Sequence, residues 1–348
     1  MSPRQLAAQL LMVGFEGSAP SAELEDYIGS LAPGAVILFA RNAAPPEELA
    51  ALTASLQRAS RQGCGLPLIV AIDQEGGPVA RLKAPFFELP GQARLGEMPP
   101  GEAEEAAQKA ARAIAGELRA AGINLNLAPV LDVRTRPDSA VAARCFSADP
   151  ERVAALGVAT TRGLQEAGVA ACGKHFPGHG DTSLDTHREL PTIEHSPERV
   201  WRVELTPYRA AIAANLACVM TTHIIYRALD AARPATLSPA VVSGLLRERL
   251  GFGGLVLSDD LQMGAIVRGW GLAEAAELAI RAGCDQVLVC NMLRHDEPRE
   301  VVAHLARRAE EDAELRARME ESLARIAAFK GRWAASPPGA NTASRSQG

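Results

Sequence analysis

The sequence predicts a single-domain α/β protein folded as a TIM-type (β/α)8 barrel. Short apolar runs alternate with amphipathic helical patterns along most of the 348 residues. Each apolar run is continuous rather than alternating with polar residues, which is typical of parallel strands buried on both faces. Hydrophobic residues make up 47% of the chain, enough for the inside of a barrel and for the layer beneath its helices.

Eight apolar runs are predicted to be the barrel strands. They lie at residues 10–15, 35–39, 68–72, 125–130, 169–172, 218–222, 255–257 and 286–290. Helical patterns between them include residues 102–121, 150–167, 197–215 and 271–282. We expect the barrel to occupy residues 1–333 as one domain. The remaining residues, 334–348, are polar and turn-rich and are predicted to be a disordered tail.

Composition excludes several classes of protein. The chain has 36 Lys and Arg against 41 Asp and Glu, a formal net charge of −5, so it lacks the basic balance of a nucleic-acid binder. No apolar run approaches the ~18 residues that cross a bilayer, and the first is too short for a signal peptide. Six scattered cysteines without a CxxC pair are expected to be free thiols. We therefore expect a cytoplasmic protein, favoured to be a monomer, without nucleic-acid or membrane partners.

No cofactor is expected either. The segment after the first strand, Gly14-Phe15-Glu16-Gly17, lacks the third glycine of a dinucleotide fingerprint and opens no helix directly.

The segment at residues 174–187, after the fifth predicted strand, is the most informative part of the chain. It contains one Lys, three His and two Asp, which are Lys174, His175, His179, His187, Asp181 and Asp185. The carboxyl ends of barrel strands are where such folds carry their chemistry. Dense ionisable groups mark functional sites more often than structural ones, so we predict that the chain is an enzyme.

Three further predicted strands end in polar residues that would reach the same mouth of the barrel. Asp73 follows the third strand, with Arg81 eight residues later, and Arg144 lies in the loop after the fourth strand. Asp259 lies in the Ser-Asp-Asp sequence that closes the seventh. Charged donors and acceptors around one mouth suit a polyhydroxylated ligand, because they bind vicinal hydroxyls strongly.

The residues alone leave other interpretations open. The histidines with Asp181 and Asp185 could bind zinc, as in a metal-dependent hydrolase, although Lys174 adjoins them and no other strand end offers a clear His set, so no metal is expected. Asp260 could cap a helix, and Asp132 could be a structural loop carboxylate. Arg81 and Arg144 could be ordinary ion-pair partners. His223 could serve either packing or ligand contact.

An ordered series of motifs resembles glycoside hydrolase family 3, specifically its single-domain bacterial β-N-acetylglucosaminidases of peptidoglycan recycling. The motifs are LLMVGF at 10–15, IDQEGG at 72–77, APVLDV at 128–133, KHFPGHGDT at 174–182, DTH at 185–187, PATLS at 234–238, LGFGG at 250–254 and SDDL at 258–261. A series spread over residues 5–330 is more specific than any single short motif.

The resemblance implies a retaining exo-hydrolase that removes a terminal, non-reducing β-linked N-acetylglucosamine through a covalent intermediate. It assigns the nucleophile to Asp259 and the acid/base dyad to His187 and Asp185 on a mobile loop. It assigns sugar binding to Asp73, Arg81, Arg144, Lys174 and His175. The implied substrates are cytoplasmic peptidoglycan fragments, namely GlcNAc-anhydroMurNAc and its peptides.

A histidine in the acid/base role is chemically reasonable. An imidazole pKa of ~6.5 suits protonation of the leaving oxygen and deprotonation of water, and Asp185 can orient the His187 ring. An uncharged base also repels phosphate less than a carboxylate would, so phosphorolysis on the same scaffold stays an alternative. A non-catalytic sugar-binding barrel is a further alternative, but pure binding has no use for a nucleophile beside an acid/base.

Overall fold

The computed structural model describes residues 1–186, 188–290 and 296–334. Within them, eight parallel strands form a closed barrel. The strands are β1 (Leu11–Val13), β2 (Ala35–Leu38), β3 (Ile69–Ile72), β4 (Leu125–Asn126), β5 (Ala170–Phe176), β6 (Cys218–Thr221), β7 (Leu255–Asp260) and β8 (Gln286–Val289). The barrel closes where Leu11 of β1 lies opposite Val287 of β8. The predicted (β/α)8 barrel is therefore confirmed.

Helices cover the outside of the barrel. They are α1 (Pro3–Gln9), α2 (Ala22–Leu31), α3 (Pro46–Cys64), α4 (Glu102–Ala120), α5 (Pro150–Glu166), α6 (Thr206–Ala213), the π-helix α7 (Ala240–Arg249), α8 (Leu272–Ala282), α9 (Glu297–Glu311) and α10 (Ala313–Trp333). Each buries an apolar stripe; in α8, for example, Ala275, Ala279 and Ile280 are buried at helical spacing. Short helices lie in the connections at Ala40–Asn42, Gln92–Gly96, Ala142–Arg144, Pro197–Arg202, Ala235–Leu237 and Gly264–Val267.

Two short strand pairs also lie in loops. Gln74–Gly76 pairs with Val79–Ala80 directly after β3, and Thr192–Ile193 pairs with Ile225–Tyr226. The first pair turns the chain back on itself, so that Asp73 and Arg81 lie beside each other at the mouth of the barrel.

Two strands run further than the apolar pattern predicts, and both extensions carry predicted site residues. The fifth strand was predicted to end at residue 172 but continues to Phe176, which pairs with Thr221 of β6. The seventh was predicted to end at residue 257 but continues to Asp260, which pairs with Leu288. Lys174 therefore lies on the barrel wall itself rather than in a following loop.

The fourth strand is shorter than predicted, and a proline lies in the part that is not strand. The prediction was residues 125–130, but β4 ends at Asn126. Pro129 has no N–H to contribute to a ladder. Its carbonyl still accepts a hydrogen bond of 3.2 Å from the Lys174 amide, so the chain keeps following β5.

The single helix predicted over residues 197–215 is wrong, because two helices, Pro197–Arg202 and α6, occupy this stretch. Pro207 lies at the start of α6. A proline ring clashes with the carbonyl four residues earlier, which belongs to Val203, and cannot donate to it. The break leaves Glu204 buried beneath the loop that follows β5.

Three observations bear on the other predictions. All six cysteines are free thiols. In the described ranges, no helix has the length and apolarity needed to cross a membrane. Of the tail predicted at 334–348, only Ala334 lies within the described residues.

Candidate active site

A cavity of about 540 Å³ opens at the carboxyl ends of the barrel strands. Its volume lies in the range of ~300–1,000 Å³ that is usual for small-molecule sites. Seven of the eight predicted site residues line it, namely Asp73, Arg81, Arg144, Lys174, His175, Asp185 and Asp259. The eighth, His187, lies outside the described residues. The structure thus brings together side chains that are up to 186 positions apart (259 − 73) in the sequence.

Asp73, directly after β3, contacts two cations. Its Oδ1 atom lies 2.7 Å from Lys174 Nζ, and its Oδ2 atom lies 3.2 Å from Arg81 Nη2. Burial alone would raise the pKa of Asp73, but the charges of Lys174 and Arg81 lower it by more. The carboxyl group is therefore ionised throughout the neutral range and can accept hydrogen bonds from sugar hydroxyls.

Glu75 is a second buried carboxylate, two residues further on, and the sequence reasoning gave it no role in the site. Its Oε1 atom lies 2.6 Å from Lys174 Nζ and 2.7 Å from Arg144 Nη2, and its Oε2 atom accepts a 2.9 Å hydrogen bond from Arg144 Nε. Burial raises the pKa of Glu75, but Lys174 and Arg144 lower it by more. Glu75 does not itself line the cavity, so it acts on the site by holding these two cations in its wall.

Lys174 consequently has two carboxylate partners and almost no contact with solvent, at 2% exposure. Burial lowers the pKa of Lys174, but Asp73 and Glu75 raise it by more, so it is held above its ordinary value. A permanently charged ammonium group therefore faces the cavity from the middle of the barrel wall.

Asp132 organises the end of β5. Its Oδ2 atom lies 2.7 Å from His175 Nδ1, and its Oδ1 atom accepts hydrogen bonds from the amides of His175 and His179 at 3.1 and 2.7 Å. Burial raises the pKa of Asp132, but the neighbouring His175 lowers it by more. The carboxylate orients His175 so that its Nδ1 carries a proton and its Nε2 faces Arg144 Nη2 at 3.3 Å. Asp132 is thus a structural carboxylate with a direct effect on a cavity-lining side chain.

Asp259 is the last residue but one of β7 and lines the cavity. Its Oδ1 atom accepts a hydrogen bond of 2.8 Å from the Asp260 amide. Burial raises the pKa of Asp259, but His223, His175 and the Asp260 amide together lower it by more. An ionised carboxylate at this position is chemically suited to attack a carbon atom that becomes electron-poor.

His223 lies beside the carboxyl end of β7 and binds its backbone. It is fully buried, its Nε2 donates to the Asp260 carbonyl at 3.0 Å, and its Nδ1 lies 2.9 Å from Thr236 Oγ1. Asp260 in turn accepts a hydrogen bond from the Gln262 amide at 3.1 Å and also lines the cavity. Of the two roles open for His223, the geometry favours packing and backbone support.

The loop after β5 is attached firmly at its base. Tyr226 donates a hydrogen bond of 2.7 Å to the Gly178 carbonyl, and Thr135 donates one of 2.6 Å to Asp181 Oδ1. The other oxygen of Asp181 contacts Nε2 of the His195 imidazole. Gly180 packs so closely on Val133 that an added Cβ would lie 1.9 Å from its carbonyl oxygen.

Further along this loop, Asp185 is exposed at the rim of the cavity. His179, which precedes it, is 3% exposed, and its Nε2 lies 3.3 Å from Thr186 Oγ1. Burial and the neighbouring His175 lower the pKa of His179 to about 4. Among the described residues, no three His, Cys, Asp or Glu side chains are grouped to hold a metal ion.

Comparison with known proteins adds to this geometry. Residues 4–329 match the family model described as the glycosyl hydrolase family 3 N-terminal domain. The chain belongs to glycosyl hydrolase family 3. It is therefore a glycoside hydrolase, as the motifs predicted.

The names of relatives of this family 3 chain describe the same class of enzyme. A protein of Thiobacillus denitrificans named β-hexosaminidase is 41% identical over 261 residues, which are 74% of this chain and 71% of that protein. A family 3 β-N-acetylglucosaminidase structure from Paenibacillus is 40% identical with a TM-score of 0.92, and it is matched over 100% of this chain but only 65% of its own length. NagZ of Neisseria gonorrhoeae, solved with N-trifluoroacetyl-D-glucosamine, is 33% identical with a TM-score of 0.76 over 92% of this chain and 97% of NagZ.

Two site features of this family 3 protein were missed from sequence. Glu75 had a usable signal, because residues two apart in an extended segment point to the same side and Asp73 was already selected. The contact of Asp132 with His175 had no signal in the sequence, because it depends on how the loop after β4 lies against β5.

Proposed function

We propose that this family 3 glycoside hydrolase is a retaining exo-β-N-acetylglucosaminidase. The observation that carries the proposal is an ionised Asp259 in a cavity whose wall holds the fixed charges of Asp73, Lys174 and Arg144. The names of the relatives, β-hexosaminidase and β-N-acetylglucosaminidase, support the choice of sugar.

In the proposed reaction, an oxygen of Asp259 attacks the anomeric carbon of the terminal sugar. The bond from that carbon to the leaving oxygen breaks, the leaving oxygen takes a proton, and a covalent glycosyl-Asp259 ester remains. Water then attacks the same carbon, gives up a proton and releases the ester bond. Two inversions at one carbon give net retention of the β configuration.

We assign the two proton transfers to His187, with Asp185 as the carboxylate that orients its imidazole. The position of Asp185 at the rim of the cavity supports this assignment. Because the loop is attached at Gly178 and Asp181, we expect motion of the acid/base to be confined to the part beyond Asp181.

Sugar binding is assigned to Asp73, Arg81, Arg144, Lys174 and His175. Their interlocking ion pairs support this role, because side chains that are already fixed lose little entropy when a ligand binds. The complex of the relative NagZ with N-trifluoroacetyl-D-glucosamine supports an acylamino sugar as the ligand.

For the natural substrate, we propose fragments of peptidoglycan in the cytoplasm, that is, GlcNAc-anhydroMurNAc and its peptides. The resemblance of the motifs to the recycling enzymes supports this choice, and six free cysteines suit a reducing compartment. Turnover of GlcNAc-anhydroMurNAc, compared with chitobiose under equal conditions, tests it; a clear preference for chitobiose would contradict it.

The deciding experiment measures p-nitrophenol release from the β-N-acetylglucosaminide and from the β-glucoside. We expect a strong preference for the acetamido sugar, a loss of at least ~1,000-fold in Asp259→Ala, and of at least ~100-fold in His187→Ala. The matched control is Asp138→Ala, an exposed carboxylate on the surface, which should keep full activity. Activity that survives Asp259→Ala would overturn the nucleophile assignment.

Two further readouts make the test specific. Azide can occupy the space left by the Asp259 carboxylate, so the Asp259→Ala variant should regain turnover and yield the α-glycosyl azide. The first sugar product of the wild type should be the β anomer by NMR. Release of N-acetylglucosamine 1-phosphate when phosphate is present would contradict hydrolysis in favour of phosphorolysis, and loss of activity with a chelator would contradict a metal-free mechanism.

A further inference from the structure

A second large cavity, of about 560 Å³, lies at the end of the barrel opposite the active site. Its wall includes Gly122, Ile123 and Asn124, which lead into β4, and Gly168, which precedes β5. Amino ends of the strands therefore form its floor, whereas the active site is built on the carboxyl ends. Nothing in the proposed glycosidase reaction uses this cavity.

Four arginines from three helices line this second cavity. Arg58 and Arg61 come from α3, Arg119 from the end of α4, and Arg332 from the end of α10. No Asp or Glu is among the residues that the structure places in its wall. We call it the arginine cavity.

Most of this positive charge is not neutralised by the protein. Arg58 approaches Glu25 at 3.4 Å, but Arg61, Arg119 and Arg332 form no ion pair with any described side chain. Residues 335–348, which follow Ala334 at the edge of the cavity, contain no Asp or Glu. Like charges gathered around one space repel each other, and a bound anion would relieve that repulsion. The local excess is notable in a chain with a net charge of −5.

A glycine and a tryptophan in the wall of the arginine cavity lie close to two of its arginine side chains. An added Cβ at Gly168 would lie 3.3 Å from Arg119 Nη1, and the backbone there has a φ of +88° that favours glycine. On another side, Trp333 is half-buried in the wall, with the Arg332 guanidinium 4.7 Å from the centroid of its ring. The cavity thus combines guanidinium groups with one aromatic surface.

We propose that the arginine cavity binds a phosphorylated small molecule. Guanidinium groups present paired N–H donors that match phosphate oxygens in a bidentate manner, and they stay charged at any physiological pH. Several of them around one space favour a ligand with two or more negative charges. The aromatic wall provides a surface for the organic part of the ligand, whether a sugar or a planar base.

The test uses isothermal titration calorimetry on the full chain with inorganic pyrophosphate, glucose 6-phosphate and uridine diphosphate as separate probes. We expect saturable binding of at least one probe that weakens with added salt. In the double variant Arg61→Gln/Arg119→Gln, we expect the Kd to rise by at least about tenfold. Hydrolysis of the p-nitrophenyl glycoside at the other end of the barrel supplies the folding control, because it should stay at the wild-type rate.

The matched control is Arg4→Gln/Arg268→Gln, which removes the same charge from two other exposed arginines. It should leave the Kd within twofold of the wild type. Equal affinity for pyrophosphate and uridine diphosphate would assign binding to the phosphates alone, and tighter uridine diphosphate or glucose 6-phosphate would identify the organic part. Absence of saturable binding for all three probes, or equal weakening in the control variant, would overturn the proposal.

Discussion

The carboxylate of Glu75 holds the guanidinium of Arg144 through two hydrogen bonds, at 2.7 and 2.9 Å, with the Glu75 side chain only 1% exposed. Such a bidentate contact fixes both the position and the plane of the guanidinium. Since Glu75 also contacts Lys174, one buried carboxylate sets the places of two cations in the cavity wall.

We expect Glu75→Gln to lower kcat/KM by about 100-fold, because small displacements of binding groups have effects of that size. Removing one partner from a buried charge pair should also lower the free energy of unfolding by ~3 kcal/mol. Kinetics with the p-nitrophenyl glycoside and urea denaturation measure the two effects. Glu194→Gln, on an exposed glutamate paired with Arg227, is the matched control and should change neither. An unchanged kcat/KM in Glu75→Gln would show that the two cations do not need this carboxylate.

Gly180→Ala should impair catalysis through the loop after β5. A Cβ at this position would lie 1.9 Å from the Val133 carbonyl oxygen, so the loop must shift away from its attachment at Asp181. We expect kcat to fall at least about tenfold, with a loss of stability of ~1–3 kcal/mol. Gly253→Ala, where an added Cβ meets nothing within 4 Å, is the comparison variant and should behave as the wild type. Equal kinetics for both variants would argue against a fixed loop base.

His179 should make the protein sensitive to mild acid. Its pKa is lowered from 6.5 to about 4 in the folded protein. As the pH falls, the unfolded chain therefore binds this proton at a higher pH than the folded protein does. Stability from this group is present above pH 6.5 and is lost as the pH falls towards 4, by at most ~3 kcal/mol. Urea denaturation between pH 7 and 4 should show a shallower decline for His179→Gln than for the wild type. Parallel curves would exclude His179 as the cause.

Lys330 should destabilise the protein at neutral pH. It is 3% exposed, its Nζ donates to Gln9 Oε1 at 2.7 Å, and burial lowers its pKa from 10.5 to about 8. Below pH 8, burial of the charged ammonium group lowers the free energy of unfolding by ~3 kcal/mol. This loss disappears as the pH rises towards 10.5. Lys330→Met removes this charge but also one hydrogen bond, so it should raise the free energy of unfolding by ~2 kcal/mol at pH 7.

The pH dependence distinguishes this effect from a simple packing change. The advantage of Lys330→Met over the wild type should shrink between pH 8 and pH 10. Lys109→Met, at an exposed position of α4, should stay within ~0.5 kcal/mol of the wild type at both values. A gain that is constant with pH would rule out the lysine charge as its source.

The barrel was predictable because its strands are buried on both faces and therefore read as apolar runs. That signal ends where a strand becomes polar, so it could not show that β5 continues through Lys174 or that β7 continues through Asp260. Pro207 did carry a usable signal for the break before α6, since proline disfavours the interior of a helix.

Cavity-lining residues were predictable from motifs, whereas their supporting partners were less so. Asp73 directly follows β3, Lys174 and Asp259 lie near the carboxyl ends of β5 and β7, and the carboxyl ends of barrel strands meet at one mouth. The attachment of Asp181 to His195 and Thr135 joins three loops whose relative positions are set only by the packed fold. Local pattern carries no information on such contacts.

Acidic side chains outnumber basic ones at the active-site cavity. Among the described lining residues, four carboxylates (Asp73, Asp185, Asp259, Asp260) face three cations (Arg81, Arg144, Lys174), and two more carboxylates, Glu75 and Asp132, lie directly behind the lining. Such an excess of negative charge does not act on an uncharged glycoside, but it repels a ligand that carries carboxylates of its own. Capture of the uncharged p-nitrophenyl glycoside should therefore be independent of ionic strength, whereas capture of a fragment that carries carboxylates should become faster as salt screens the repulsion.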